Sequence, residues 1–173
     1  GNYDDFLNNV IETEDGNIII FGISGSTDIE GLQNKGNQDL IILKYDKDGN
    51  MLCQKSWGGN EYEKLNNVIE TEDGSIILVG TFHSTGIGGM QTKESQDVII
   101  LKYDKNGNML WQKSWGGSGF DFLYNVIETE DGNFILFGNS TSTDIEGLPN
   151  KGSQDAIILK YDKDGNMLWQ KSW

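Results

Sequence analysis

Trp57, Trp115 and Trp173 stand 58 residues apart, and so do Asp39, Asp97 and Asp155, and Gly16, Gly74 and Gly132. A repeat of this length marks a supersecondary unit that cannot bury its apolar surface alone and must stack on its neighbours. The chain therefore divides into three units, residues 1–57, 58–115 and 116–173. It opens and closes at a joint between units, which leads us to expect a fragment of a longer array.

Each unit carries four short strand signals separated by turn chemistry, without helical periodicity. In the first unit these are Leu7 to Thr13, Asn17 to Ser24, Asp39 to Asp46 and Asn50 to Trp57. Glu14-Asp15-Gly16 joins the first pair and Lys47-Asp48-Gly49 the last, both Asp-Gly hairpin signatures in which glycine takes a positive φ. Between the second and third strands lies a longer loop, Gly25 to Gln38. The runs Ile18-Ile19-Ile20-Phe21 and Leu40-Ile41-Ile42-Leu43 are apolar at consecutive positions, so both faces of each sheet expect cover. Stacking sheet on sheet provides it.

Composition narrows the function classes. The formal charge is −14, and all 13 basic residues are lysine. Such a chain repels nucleic acid and anionic membrane, and no apolar run reaches the roughly 20 residues of a membrane span. No secretory leader is present either, an absence that says little of a fragment. Abundant Asn, Lys and Ile without Arg point to an AT-rich coding sequence and a low-GC bacterium. The single cysteine, Cys53, stands where the other units carry Trp111 and Trp169, reads as a substitution within a packing site, and excludes an internal disulfide.

Radial stacking of four-stranded sheets is a β-propeller. The strand order, with an apolar second strand ending in glycine (Ile20-Phe21-Gly22, Leu78-Val79-Gly80, Leu136-Phe137-Gly138), a third ending Tyr-Asp and an outer strand with Trp, resembles the kelch-like blade. Over all 173 residues the chain resembles, more specifically, bacterial cell-surface propeller repeats that read D-G-x-I-I-x-G, Q-D-x-I-I-L-K-Y-D and G-N-x-x-W-x-K. The likeness implies an all-β chain of three propeller blades, extracellular or at the cell surface; no cofactor and no catalytic role are expected. Its departure is a surplus of length in the loop between strands two and three. Three blades cannot close a ring, so the open faces of units one and three predict a homodimer closing a six-bladed ring, with an open array as the alternative.

In a propeller the links between blades and the long loops emerge together, and this end is the expected ligand face. It carries Tyr3, Asp4 and Asp5, then Glu61, Tyr62 and Glu63, then Phe120 and Asp121, where aromatics beside carboxylates suit a sugar ring; Tyr62 and Phe120 equally suit packing at the strand mouth. The long loops add Asp28, Glu30, Asp144 and Glu146. Unit two has Gly86 and Gly88 instead, so these acids read as a solvated loop and no metal site is expected. The Asp46-to-Asn50 turn is similar to the Asp-box of sialidase propellers, but a chain without arginine cannot grip a sialic acid carboxylate bidentately. His83 is the only histidine and reads as a loop residue, so neither a Ser-His-Asp triad nor a His-rich metal cluster is expected within one chain. Asp5, Glu63 and Asp121 recur near the axis, and recurrence favours structure over a catalytic pair, which needs two different environments. Lys44, Lys102 and Lys160, inside apolar third strands, need carboxylate partners, with Glu12, Glu70 and Glu128 or Asp39, Asp97 and Asp155 as candidates. Trp57, Trp115 and Trp173 are expected to wedge between blades. The function expected is a non-catalytic binding face for glycan or protein; a purely structural assembly module is the alternative, and a hydrolase or lyase domain a lesser one.

Overall fold

The computed structural model describes residues 1–84, 87, 90, 96–148 and 152–173. Within them the chain is all-β, with three four-stranded antiparallel meanders. The first sheet contains β1 (Asp5–Glu12), β2 (Ile18–Ser24), β3 (Asp39–Tyr45) and β4 (Met51–Trp57) in sequence order. The second contains β5 (Glu63–Glu70), β6 (Ile76–Phe82), β7 (Asp97–Tyr103) and β8 (Met109–Trp115), and the third β9 (Asp121–Glu128), β10 (Phe134–Ser140), β11 (Asp155–Tyr161) and β12 (Met167–Ser172).

The hairpins close as their sequences dictate. In the first turn Gly16 N–H donates to Thr13 O at 2.8 Å and Thr13 N–H donates to Asn17 O at 2.8 Å. Gly16 and its five counterparts (Gly49, Gly74, Gly107, Gly132 and Gly165) sit at φ between 72 and 83°, which a Cβ would disfavour. The glycines two residues before the ends of the second strands have a different reason. Each inner hairpin has a register shift, between Leu7 and Asn9, Leu65 and Asn67, and Phe137 and Gly138. There the strands approach so closely that a Cβ on Gly22, Gly80 or Gly138 would run into the carbonyl oxygen of Phe6, Lys64 or Phe122.

Two cores lie between the three sheets. Ile19, Phe21, Leu40 and Trp57 of the first sheet pack against Leu65, Val68, Leu78, Phe82, Ile99 and Leu101 of the second. On its other side the second sheet sets Ile77, Val79, Val98, Ile100 and Trp115 against Leu123, Val126, Phe134, Leu136, Ile157 and Leu159 of the third. Every residue of β6 and β7 is consequently buried, as their unbroken apolar runs require. The two outer faces lack this cover. Leu7 and Val10, equivalent to buried Leu65 and Val68, are each 59% exposed; Trp173 is 66% exposed where Trp57 and Trp115 are 6%.

The polar bonds across each joint repeat with the sequence. Trp57 Nε1 donates to Gln112 Oε1 at 3.0 Å and Trp115 Nε1 to Gln170 Oε1 at 2.9 Å. Glu14 N–H donates to Glu70 Oε2 at 3.1 Å, and Glu72 N–H to Glu128 Oε2 at 2.7 Å. Asn67 Nδ2 donates to Asn125 Oδ1, and Asn66 Nδ2 to Leu123 O at 2.8 Å, so inner strands β5 and β9 lie side by side.

The lysine partners differ from those expected. The register Ile19↔Lys44 places each lysine beside the turn joining the first two strands, at the opposite end of its own strand from Asp39, Asp97 or Asp155. Lys160 Nζ reaches Asp131 at 3.0 Å. Buried Lys102 lies 3.6 Å from Asp73 Oδ2 and 5.3 Å over the Phe134 ring. Lys44 Nζ instead donates to Lys105 O at 3.0 Å. Glu70 and Glu128 are occupied by the backbone amides of the preceding unit, which leaves the turn aspartates to the lysines. The Thr71 hydroxyl, above all, holds the Asp73 carboxyl well below the usual range, and burial opposes it. Asp131 is lowered in the same way, first by Thr129 and then by Lys160.

Candidate functional site

The long loops and the inter-unit links emerge at the same end. Isolated parallel bridges join Gln38 to Tyr62 and Gln96 to Phe120, sewing each long loop to the next unit's link. Asn37 N–H donates to Glu61 O at 3.2 Å, and Glu63 N–H to Gln38 O at 3.1 Å.

Much of the acidity at this end is absorbed by the scaffold. Asp28 Oδ1 accepts from Asn2 N–H at 2.8 Å, and Asp144 Oδ1 from Ser118 N–H at 2.7 Å, so these carboxylates pin the link to the long loop. Glu30 and Glu146 contribute backbone carbonyls, which accept from the Gln54 and Gln170 side chains, while their carboxylates are exposed. Gly86 and Gly88 lie outside the described residues.

The recurring inner-strand acids turn into the joint. Asp121 is fully buried and accepts from Gly117 N–H at 2.8 Å, Ser140 Oγ at 2.5 Å and Ser142 Oγ at 2.8 Å. Asp5 takes the hydroxyls of Ser24 at 2.5 Å and Ser26 at 3.1 Å in the same pattern. Unit two departs at both partners: Phe82 stands where the other units have Ser24 and Ser140, and Glu63 stands for the aspartate. With one hydroxyl gone, Glu63 accepts from Gly59 N–H at 3.2 Å and packs toward buried Asp39. A Cβ on Gly58 would strike the Asp39 carboxylate and lie 2.6 Å from Glu63 Oε2; at Gly116 it would meet Asp97 Oδ1 at 2.5 Å and Asp121 Oδ2 at 2.7 Å.

Glu63 Oε1 and Asp39 Oδ1 are buried without a hydrogen-bond partner. Burial pushes the Glu63 carboxyl up, against the pull of Ser84 and Gly59 N–H, and the charge of Asp39 adds to the rise. Burial likewise pushes Asp39 up, opposed by the Lys35 amide and then the Lys35 charge.

Once these groups are accounted for, the open residues at the loop end gather between the first two units. Tyr3, Asp4 and Thr27 of unit one face Asn37, Gln38 and Tyr62 across a cleft of about 400 Å³. Tyr3 is 66% and Tyr62 51% exposed, and the floor is Gly25 and Gly36. Tyr3 is held by its own backbone, whose N–H donates to Ser26 Oγ at 3.1 Å and whose carbonyl accepts from that hydroxyl at 3.0 Å. Of the residues singled out in the sequence, Tyr3, Asp4 and Tyr62 meet in this cleft. Phe120, 53% exposed, stands at the same place one joint further on, and exposed Glu61 bonds Asn37 Nδ2 at 3.4 Å beside the cleft. Asn37, Gln38 and Thr27 were not anticipated, and neither was Gly25. The available signal was that units two and three carry His83 and Thr141 at the position of Gly25.

No protein-family model matches the chain. It is 27% identical over 154 residues to the regulatory protein FlaEY of Caulobacter vibrioides, an alignment that covers 83% of this chain and 16% of that protein. The chain thus spans about a sixth of the length of that curated relative. A crystal structure of a protein of unknown function from Dyadobacter fermentans superposes over 94% of this chain and 52% of its own, at 15% identity and a TM-score of 0.49.

Proposed function

We propose that the chain is a non-catalytic, self-associating half of a six-bladed β-propeller that presents its long-loop end as a binding face. One observation carries the closure. The outer face of the first sheet and that of the third consist of residues whose equivalents cover one another at both internal joints. Leu7, Val10, Ile18 and Ile20 repeat Leu65, Val68, Ile76 and Leu78; Ile135, Phe137 and Trp173 repeat Ile77, Val79 and Trp115. The third unit of one copy therefore fits the first unit of another as it would fit a fourth unit, and two such joints close a ring of two chains. The polar pattern transfers too: Trp173 Nε1 would find Gln54 of the partner subunit, as Trp57 finds Gln112. Placement at a bacterial cell surface rests on the repeat resemblance alone. The non-catalytic reading is supported by the structural use made of Asp121 and Asp144.

Light scattering after size exclusion, over a concentration series, tests the closure. A mass near twice 19.3 kDa is expected, falling toward that of one chain in Trp173→Ala. A wild-type chain that stays single at every concentration overturns it.

A further inference from the structure

The two joints differ at the loop end in one respect that bears on ligand binding. In the second, His83 occupies the position of Gly25, with its ring Nδ1 3.4 Å from Tyr62 O, and in unit three Thr141 stands there. Unit one has a glycine at this point, and beside it lies a cleft of about 400 Å³, within the range of small-ligand sites. Two exposed tyrosine rings flank it, and the Asp4 carboxylate and the amides of Asn37 and Gln38 offer acceptors and donors in planar pairs.

We propose that this cleft binds a neutral glycan, with a pyranose ring stacked on Tyr62 or Tyr3 and its hydroxyls bonded by Asp4, Asn37 and Gln38. The proposal rests on the reading of the loop end as a binding face. The C–H face of a pyranose is apolar and its rim is polar, which matches an aromatic wall beside carboxylate and amide groups. An anionic sugar is disfavoured by Asp4, nearby Glu61 and the charge of −14. A lipid is disfavoured by the Asp4 carboxylate and the Asn37 and Gln38 amides in the wall. A lysine-rich peptide would use the same rings and carboxylate, but such boxes close around a desolvated charge, whereas this cleft is broad and open. Closure of two chains would place two copies of the cleft on one face and raise the avidity for a repeating polysaccharide.

Gly25→His introduces the residue unit two already carries. A Cβ there meets Asn37 O at 3.2 Å and the Tyr3 Cβ at 3.4 Å, so the loop must give by a few tenths of an ångström. The probes are oligomers of glucose, xylose, mannose and N-acetylglucosamine, with a lysine-rich peptide alongside, measured by saturation-transfer NMR and calorimetry on the whole chain. At least one oligomer is expected to bind, weakened tenfold or more by Gly25→His and by Tyr62→Ala and unchanged by Phe120→Ala. Binding of an oligomer that ignores both substitutions overturns the cleft while leaving the loop end a binding face. Binding of the peptide alone overturns the glycan assignment. No binding of any probe to a chain that still forms the ring overturns the glycan proposal without touching the closure.

Discussion

Replacing Cys53 with tryptophan should stabilise the chain, because the second joint already shows what the first one lacks. Trp111 stands at the equivalent position, lies 6.3 Å from the Phe134 ring centroid and donates Nε1 to Lys163 O at 3.1 Å. In the first joint Cys53 and Ile76 replace that aromatic pair, and between them remains an apolar void of about 20 Å³ lined by Ile19, Ile42, Ile76 and Tyr103. Lys44 takes up the carbonyl of Lys105 that an indole would use. A tryptophan buries about 150–250 Å² when covered. Covering about half of that area, a share that Trp111 exceeds, less the area of a thiol leaves about 80 Å², or about 2 kcal/mol at about 25 cal/mol per Å². Ordering the indole costs about 1 kcal/mol, and the new hydrogen bond replaces the one from Lys44, whose ammonium can turn to Asp15 as Lys102 does to Asp73. The net gain is about 1 kcal/mol, or about 2–4 °C in Tm for a chain of this size. Urea melts at one fixed protein concentration measure it, with an unchanged m-value confirming an effect on stability. A midpoint that stays put or falls would show that the first joint has settled around its cysteine and that the two joints are not interchangeable in packing.

Three further outcomes follow from the joints. Glu63 and Asp39 have raised folded-state pKa values, so their contribution is complete below the ordinary carboxylate range and is lost as pH rises through the raised values. Lys35, Ser84 and Gly59 N–H face the pair. Melts from about pH 4 to about pH 8 should therefore show this loss in the wild type and a flatter profile in Glu63→Gln, whose amide can donate to Asp39; parallel profiles would refute the pairing. Gly116→Ala should cost about 2 kcal/mol or more, since its Cβ would fall between two buried carboxylates, and more than Gly152→Ala, whose nearest described neighbour, Asp155 Oδ1, lies at 3.8 Å. Trp57→Ala should cost about 3–5 kcal/mol at every concentration, while the cost of Trp173→Ala should vanish on dilution as the ring opens; equal costs in dilute solution would refute the assignment of Trp173 to an intermolecular joint.

The hairpins were legible because glycine at positive φ and alternation at strand ends are local signals. The expected strand Asp39 to Asp46 matches Asp39–Tyr45, and Asn50 to Trp57 matches Met51–Trp57. Trp57 and Trp115 as wedges followed from period and size. What escaped the sequence lies between units. Nothing local to Asp28 or Asp144 says that the carboxylate reaches back 26 residues to cap a link. Nothing local to Glu70 says that it serves the turn of the preceding unit. The lysines reach neither the inner-strand glutamates nor the strand-leading aspartates expected of them, because apolar patterning locates a strand without saying which end of it a long side chain will reach or which carboxylates the backbone already holds. Gly22 is legible in the sequence as part of the second strand, but its reason, a carbonyl pressed against its α-carbon, appears only in three dimensions.

The joint bonds described above also govern how such a chain can change length. Glu14 with Glu70 and Glu72 with Glu128, or Trp57 with Gln112 and Trp115 with Gln170, are one bond written at successive addresses. A duplication or loss of one whole unit brings both halves of its interface with it, so blade number can vary without any new contact having to be found. A shift of a single residue within a strand is another matter. It turns every side chain of that strand to the wrong face and spoils two joints at once. Unit count is therefore the tolerant dimension of this architecture, and strand register the strict one.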